Sequence, residues 1–562
     1  MRPGIPRVTW TTDHFTLTID ERKQDLLPKL GALAEECFAK EQAFFGYTPP
    51  GRIQMVFLDE GDYANGFAYP PQEWVVIHLH SAEHLLRGRT RWLPGVIAHE
   101  IGHIFTMRRM GDDSRFLGID LFHRWSGKGN SSFQESFSWR YHGIPPWLAE
   151  GLAQYAAGVC GYDTLDTHRQ MLLRVAAASG ALLSLAELKA FAWDGRRNEM
   201  IYAQGYALVT HLYRTYGTKA ANHYLELAAS KGWRGAFEPA FGKSLEVIYG
   251  EWRKALEVRS HGAEASGDGD FILPEPTGPY TVETFPVSLP DNRFLYLSSG
   301  DNDHGATDLM LADGKGGTRE IFSRVTSLTP SSDGRSVLFT STHYGFTQGD
   351  EVSDLYAFEA GTGSIRRLTT GGRIVRGCEM GGTVYGIRNH EGRTSLARIA
   401  DGDWSSIWVP PDSLELTDLA VGHAPGTLTL GTTSGFGEDI RELDLASGEL
   451  SPLAVSPQDE RDPRWHGDTL YFSADYSSVF DVYALVDEQV VRLTHAAGGV
   501  FHPFPREDGL WISAYGPKGF RLARAGKVAE SAPPFVVELP VPGWKLPKPV
   551  EYEGDAYDRT SL

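Results

Sequence analysis

Six short segments of one pattern recur through the second half of the chain. They are "DLMLAD" from 308, "DLYAFE" from 354, "SLARIA" from 395, "DIRELD" from 439, "DVYALV" from 481 and "GFRLAR" from 519. Each is short and strand-like, and Gly, Asp and Ser separate them, which is how half-buried strands between tight turns read. An antiparallel unit of roughly 40 residues cannot bury both of its faces alone, so neighbours must stack around an axis. Six copies imply a six-bladed, all-β disc.

Upstream of residue 258 the period is helical instead. "ERKQDLLPKLGALAEECFAKEQAFFG" places apolar residues three and four apart, and Pro28 must kink this helix or shift its start. "RIQMVFL" and "EWVVIHLH" read as strands. Helices are expected near 94–110, 145–158, 164–179, 198–216, 218–231 and 243–258, with Pro94 and Pro145 in first turns, where proline is tolerated. Between the halves, "SHGAEASGDGDFILPEPTGPY" has linker composition, and its prolines stiffen it, so the disc should pack against the helical half. The expected division is a domain over 1–258, a linker over 259–279, the disc over 280–535 and a C-terminal extension over 536–562.

The chain's 562 residues exceed one ordinary core. Its 53 basic residues against 72 acidic ones give a net charge of −19. Such a field repels phosphate backbones and anionic lipid, which excludes nucleic acid as a partner. No apolar run approaches the ~20 residues that membrane insertion needs. The start, "MRPGIPRVTWTTDHF", has no apolar h-region, so no signal peptide is read in the chain as given. The protein is then cytosolic, or its leader was removed or lies upstream. Cys37, Cys160 and Cys378 are too scattered for a disulfide framework or a thiolate site and read as small buried residues.

Chemistry concentrates in "WLPGVIAHEIGHIFTM", residues 92–107. On a helix, His99 and His103 share a face, so both imidazoles can address one ion. Glu100 projects about 100° round from His99, within reach of a water on that ion without ligating it. Val96, Ile97, Ile104 and Phe105 mark the helix as buried. Two histidines and a glutamate buried there without an ion or partners would cost several kcal/mol, roughly, for their unsatisfied polar groups. The plainer alternative is a helix whose histidines are satisfied in other ways. A catalytic metal also needs a third protein ligand. "PPWLAEGLAQYAAG" offers Glu150, one turn into a proline-started helix among apolar Trp147, Leu148 and Leu152, with Gly151 permitting close approach. In "VVIHLHSAEH", His78 and His80 share a strand face. With His84 they could form a second metal site, or they line the cleft from an edge strand and touch solvent or substrate.

H-E-x-x-H followed by W-L-x-E-G-x-A resembles the gluzincins, zinc peptidases whose third ligand is a glutamate on the next helix. "NGFAYPPQEWVVIHLH" before and "YAQGYALVTHLYRTYG" after resemble the peptidase-MA-like branch, so the likeness spans about residues 12–258. It implies an α+β zincin-like metallopeptidase domain holding one Zn²⁺ per chain on His99, His103 and Glu150. Glu100 would be the general base, and Tyr202 the phenol that stabilises the oxyanion, with Tyr206 one turn on as the alternative. Gln154 stands where thermolysin-like enzymes place an aspartate that accepts a bond from a zinc histidine. Two features depart from the aminopeptidases. Residues 104–149 make a far longer interval, whose polar and aromatic stretch 111–144 could be a flap over the cleft. The acid expected to hold a substrate's amino terminus is missing from Asn65-Gly66-Phe67-Ala68. That favours an endopeptidase, with Glu73 as a possible substitute.

"SSDGRSVLFTS", "IRRLTTGG" and "VVRLTHAAGG" resemble a TolB-like propeller over about 280–530. The expected substrate is a peptide or protein that pairs with an edge strand near 74–80, while the propeller selects or admits it or binds a protein partner. The rival is a propeller-based binding protein with a low-activity zincin scaffold, although a scaffold has no need of Glu100. A serine peptidase is excluded, since no G-x-S-x-G occurs. By resemblance alone the bacterial cell envelope or secretion is favoured over cytoplasm.

Overall fold

The structure, a computed structural model, describes residues 5–59, 61–62, 65–80, 91–111, 115–126, 130–141, 143–191, 195–263, 269–276, 278, 280–300, 307–344, 351–507, 509–525, 530–531 and 554–556. For 115–126, 130–141, 530–531 and 554–556 this description is of the backbone.

A mixed sheet opens the chain: β1 (Arg7–Thr11), β2 (Phe15–Asp20), β3 (Ile53–Leu58), β4 (Gly66–Tyr69) and β5 (Trp74–His78), in the order β1-β2-β3-β5-β4. β2, β3 and β5 run parallel, and β4 returns antiparallel on β5. Gly554–Ala556 pairs with β1. The helices α1 (Leu27–Phe45) and α2 (Trp92–Arg109) pack on the sheet. Phe38 of α1 meets Phe15 of β2 edge-on at 5.8 Å and Phe105 of α2 at 5.0 Å, so one ring joins all three elements. Pro28 sits in the first turn of α1, behind a 3₁₀ turn at Glu21–Leu26.

One expectation is corrected here. The 74–80 segment is not an edge, because β5 is paired on both sides. Pro70 and Pro71 open a 3₁₀ turn, Glu73 takes a left-handed conformation (φ 53°), and the chain returns inside β4. Among the described residues, the edge at this end of the sheet is therefore Gly66–Tyr69.

After α2 comes a hairpin, β6 (Arg115–Ser126) with β7 (Asn130–Tyr141), then α3 (Pro146–Cys160), α4 (Thr167–Ala178), α5 (Gly195–Gly235), α6 (Phe237–Phe241) and α7 (Leu245–Arg259). α5 is broken at Gly217 (φ 81°), the junction between the helices expected over 198–216 and 218–231. Glycines set the helix spacing. A Cβ at Gly102 of α2 would stand 2.6 Å from Ala156 Cβ of α3. One at Gly151 of α3 would stand 2.4 Å from Gly205 O of α5, and one at Gly205 would stand 2.2 Å from Trp147 O. These three helices pack nearly backbone to backbone.

Beyond residue 280 the chain is a β-propeller. Four-stranded antiparallel sheets span 325–367, 374–408, 415–454 and 460–492, the last extended by Glu530–Ser531. An eight-stranded sheet holds the remaining strands, with Asp270–Phe271 pairing Gly519–Arg524 and the latter meeting Thr281–Val282 in parallel. Segments 308, 354, 395, 439, 481 and 519 of the sequence repeat all lie in third strands of their groups. The disc is packed against the helical half. Tyr280, Val282, Phe480, Phe501, Tyr515 and Phe520 belong to the same core as Met171 and Val175 of α4. Arg174 donates to the carbonyls of Ala497 (3.4 Å) and Gly498 (2.7 Å). Among the described residues no helix is long and apolar enough to cross a membrane, and all three cysteines are buried and free.

Gly205→Ala is expected to destabilise the protein by about 1–3 kcal/mol, since rigid backbone blocks the new methyl. Gly250→Ala in α7, where nothing lies within 4 Å of the point a Cβ would occupy, should instead stabilise by about 0.5–1 kcal/mol. Denaturant unfolding midpoints check both.

Candidate metal centre

α2 and α3 cross at Gly102, and this brings three side chains to one point. His99 Nε2 lies 3.2 Å and His103 Nε2 lies 3.4 Å from the same oxygen, Glu150 Oε2. The three ligand atoms all fall within 4.8 Å of one another. Donors about 2.05 Å from a shared tetrahedral centre stand ~3.3 Å apart, so this trio fits zinc bound by two imidazoles and a carboxylate. Apolar neighbours enforce the convergence: Ile97, Ile101, Ile104 and Phe105 on α2, and Trp147 and Leu148 on α3, are fully buried.

Electrostatics follow from that burial. Burial opposes charge on Glu150, yet His103 and His99 hold its carboxyl well below the usual range. Burial likewise opposes charge on His103, and the Glu150 carboxylate overrides it, leaving the imidazole above its ordinary value. Glu100 is different. It does not share the trio's oxygen, it is 4% exposed, and burial raises its carboxyl against the pull of His99 and His103. A carboxyl raised toward neutrality suits proton transfer.

Glu100 rests against the edge strand. A Cβ at Gly66 would lie 2.3 Å from Glu100 Oε1 and 2.5 Å from Val96 Cγ2, so only glycine allows β4 this close. The sequence showed Gly66 as the residue after Asn65 and a missing acid, but not as the seat of the glutamate.

Other expected site residues are placed as follows. Gln154, one turn after Glu150, is buried, and neither its Oε1 nor His103 Nδ1 has a hydrogen-bond partner among the described residues. An imidazole that gives Nε2 to a metal presents Nδ1–H and needs an acceptor, so both orphan atoms fit an occupied site. Tyr202 is half-buried, its ring 5.7 Å from that of exposed Phe191. Tyr206 is 4% exposed, with Arg169 over its ring and its hydroxyl pressed on Gly158, two turns past Glu150. Glu73 does not stand open for an amino terminus, since Arg108 Nε lies 3.6 Å from its carboxylate. His80 is not open to solvent: it is 3% exposed and lies 2.6 Å from Asp59 Oδ1. Burial on both flanks of β5 withdrew it from the cleft. His84 lies outside the described residues. Within 111–144, the backbones of Arg115–Ser126 and Asn130–Tyr141 pair antiparallel, and the side chains of these two strands lie outside the described set.

Residues 132–258 match the Peptidase MA superfamily. That match contains Glu150, Gln154, Tyr202 and Tyr206, while His99, Glu100 and His103 precede it. No curated protein sequence matches the chain. The propeller resembles those of solved structures. The tricorn protease is 17% identical over 45% of this chain and 27% of its own, with a TM-score of 0.32. TolB from Acinetobacter baumannii is 14% identical over 54% of this chain and 71% of its own, with a TM-score of 0.28. An acylaminoacyl peptidase in complex with Z-Gly-Gly-Phe-chloromethyl ketone is 10% identical over 45% of each, with a TM-score of 0.31. The chain therefore spans under half the length of the tricorn and acylaminoacyl peptidases that it matches.

The superfamily match takes in Glu150, and the trio has the donor set of a metal site. Gly66→Ala is expected to keep metal binding and to slow peptide turnover roughly 10-fold or more, because the methyl displaces the Glu100 carboxylate. Zinc content and kcat measured on one preparation check this.

Proposed function

We propose that this protein is a zinc-dependent endopeptidase of gluzincin type, with one zinc per chain on His99, His103 and Glu150. The observation that carries the proposal is the meeting of both Nε2 atoms on Glu150 Oε2, beside a buried carboxyl that takes no part in that contact. Zinc in this site supplies Lewis acidity toward a scissile carbonyl and acidifies water. Glu100 takes the proton of the attacking water and passes it to the leaving amine nitrogen. Gln154, whose Oε1 is buried and without a hydrogen-bond partner as His103 Nδ1 is, would be the acceptor for that ring with a metal on Nε2. Tyr202 donates to the developing oxyanion, a role that its partial exposure favours over buried Tyr206. The substrate is a peptide or protein segment that pairs, extended, with the β4 edge at Gly66–Tyr69. With Glu73 tied to Arg108, no acid among the described residues marks an amino-terminal subsite near β4, which favours cleavage within a chain.

The unit boundaries we assign are 1–258 for the peptidase, 259–279 for the linker, 280–535 for a six-bladed propeller and 536–562 for the extension. The propeller selects or admits substrate and supplies none of the reacting groups. A scaffold with little turnover would have no physical use for the buried carboxyl of Glu100, whose desolvation costs stability.

The purified protein should hold one zinc, and the His99→Ala, His103→Ala double variant should hold none. Glu100→Gln should keep the zinc and lose roughly 10²–10⁴-fold in turnover, because an amide cannot take the proton. Stoichiometric zinc in the double variant, or unchanged turnover in Glu100→Gln, would remove the mechanism.

The two tyrosines are separable by kinetics. Tyr202→Phe is expected to lower kcat with little change in KM, since its bond forms fully only in the transition state. Tyr206→Phe should leave kcat near wild type. The reverse pattern would move the oxyanion role by one turn.

A further inference from the structure

One propeller side chain makes three contacts with residues that precede the β4 edge. Arg373 stands between two propeller sheets, and its guanidinium is spent wholly on the peptidase part. Nη1 donates to Asp59 Oδ1 (2.6 Å), Nε to Asp62 Oδ1 (2.9 Å) and Nη2 to the Gly61 carbonyl (2.7 Å). To make this reach, its own backbone takes a left-handed conformation (φ 55°), which a non-glycine residue adopts at a cost. Asp62 is gripped from the propeller side as well. Its N–H donates to the Glu351 carbonyl (2.5 Å), and Ser353 N–H donates to its Oδ2 (2.8 Å). Asp59 is held from the peptidase side by Lys23 and by His80. Burial opposes its charge, but His80, Arg373 and Lys23 pull its carboxyl far below the ordinary range.

The position of this clamp gives it a function. Asp59 directly follows β3, and Asp62 is four residues before Gly66, the first residue of the β4 edge. Asn65 O, between them, accepts from His78 N–H at 3.0 Å, so the register of β4 on β5 begins where the clamp ends. Gly66 in turn sits on Glu100.

We propose that Arg373 is a positioning residue for the peptidase reaction: from the propeller, it fixes Asp59, Gly61 and Asp62 and thereby sets the depth and register of the β4 edge over Glu100. This rests on the peptidase reading above and deepens it. The propeller then contributes to substrate binding by placing a strand of the other domain, without touching substrate there.

The test uses the full chain in three variants. Arg373→Lys keeps the charge but lacks the planar fork that serves three acceptors. Arg373→Met removes the charge and leaves two buried carboxylates without it; should that variant fail to fold, Arg373→Lys carries the test alone. Arg174→Met is the control, since Arg174 also bridges the two parts, through α4 rather than through β4. Three quantities are read: hydrogen exchange over 65–69, zinc content, and kcat and KM for an unstructured peptide. In Arg373→Lys we expect exchange over 65–69 to quicken roughly 10-fold as that segment opens locally. KM should rise roughly 10-fold with kcat changed less than about 3-fold, because strand pairing binds ground and transition states alike. Zinc should stay stoichiometric, and Arg174→Met should change none of these. Unchanged exchange over 65–69 in Arg373→Lys overturns the proposal. So does equal quickening in Arg174→Met, which would mean general undocking. A zinc-loaded wild type that cleaves no peptide would defeat the peptidase reading instead, and the exchange comparison would still decide the clamp.

Discussion

The close approach of α3 to α2 and to α5 is the constraint on which the site depends. Two imidazoles on one helix and a carboxylate on another can meet on one oxygen only if the helix backbones nearly touch. Gly102 provides that against Ala153 and Ala156, and Gly151 with Gly205 provides it on the far side of α3. Bulkier residues at these crossings would move Glu150 away from His99 and His103 by more than the tolerance of a tetrahedral centre. The apolar faces of α2 and α3 then shield the trio in part, leaving its side chains 11–18% exposed, and this strengthens the attraction between Glu150 and the histidines.

Desolvation also separates two glutamates by role. Glu150 faces two histidines and is held ionised, while Glu100, one residue along from His99, faces Gly66 and the strand edge and is pushed toward neutrality. Glu100 is the more deeply buried of the two and makes no contact with the shared oxygen, whereas both histidines meet Glu150 directly. Packing alone shifts two residues of one type in opposite directions.

The junction between the two halves combines apolar and ionic contacts that do different work. Phe480, Phe501, Tyr515 and Phe520 share a core with α4 and bind without direction. Arg373, Asp59 and Asp62 add direction, because a buried guanidinium fork accepts few geometries and an unpaired buried carboxylate is costly. The polar contacts lie just before β4, whose register on β5 follows from them, and the apolar ones lie beneath α4.

The local pattern determined much of this protein. The six strand repeats announced a propeller, because repeated units that cannot bury their own faces must stack. His99, Glu100 and His103 were legible because helical spacing fixes which side chains share a face, and Glu150 because an acid among Trp147, Leu148 and Leu152 must be buried. Other features could not be read so. The 74–80 segment has the alternation of an edge strand, yet the Pro70-Pro71 turn folds Gly66–Tyr69 outside it, and His80 turns inward to Asp59. The role of Gly66 depends on what stands opposite, and Arg373 meets Asp62 across 311 positions. Periodicity tells which face of an element is buried; it carries no information on which element arrives there. Tertiary packing decided the partners, and with them the edge that is open, the seat of Glu100 and the hold of the propeller on the strand.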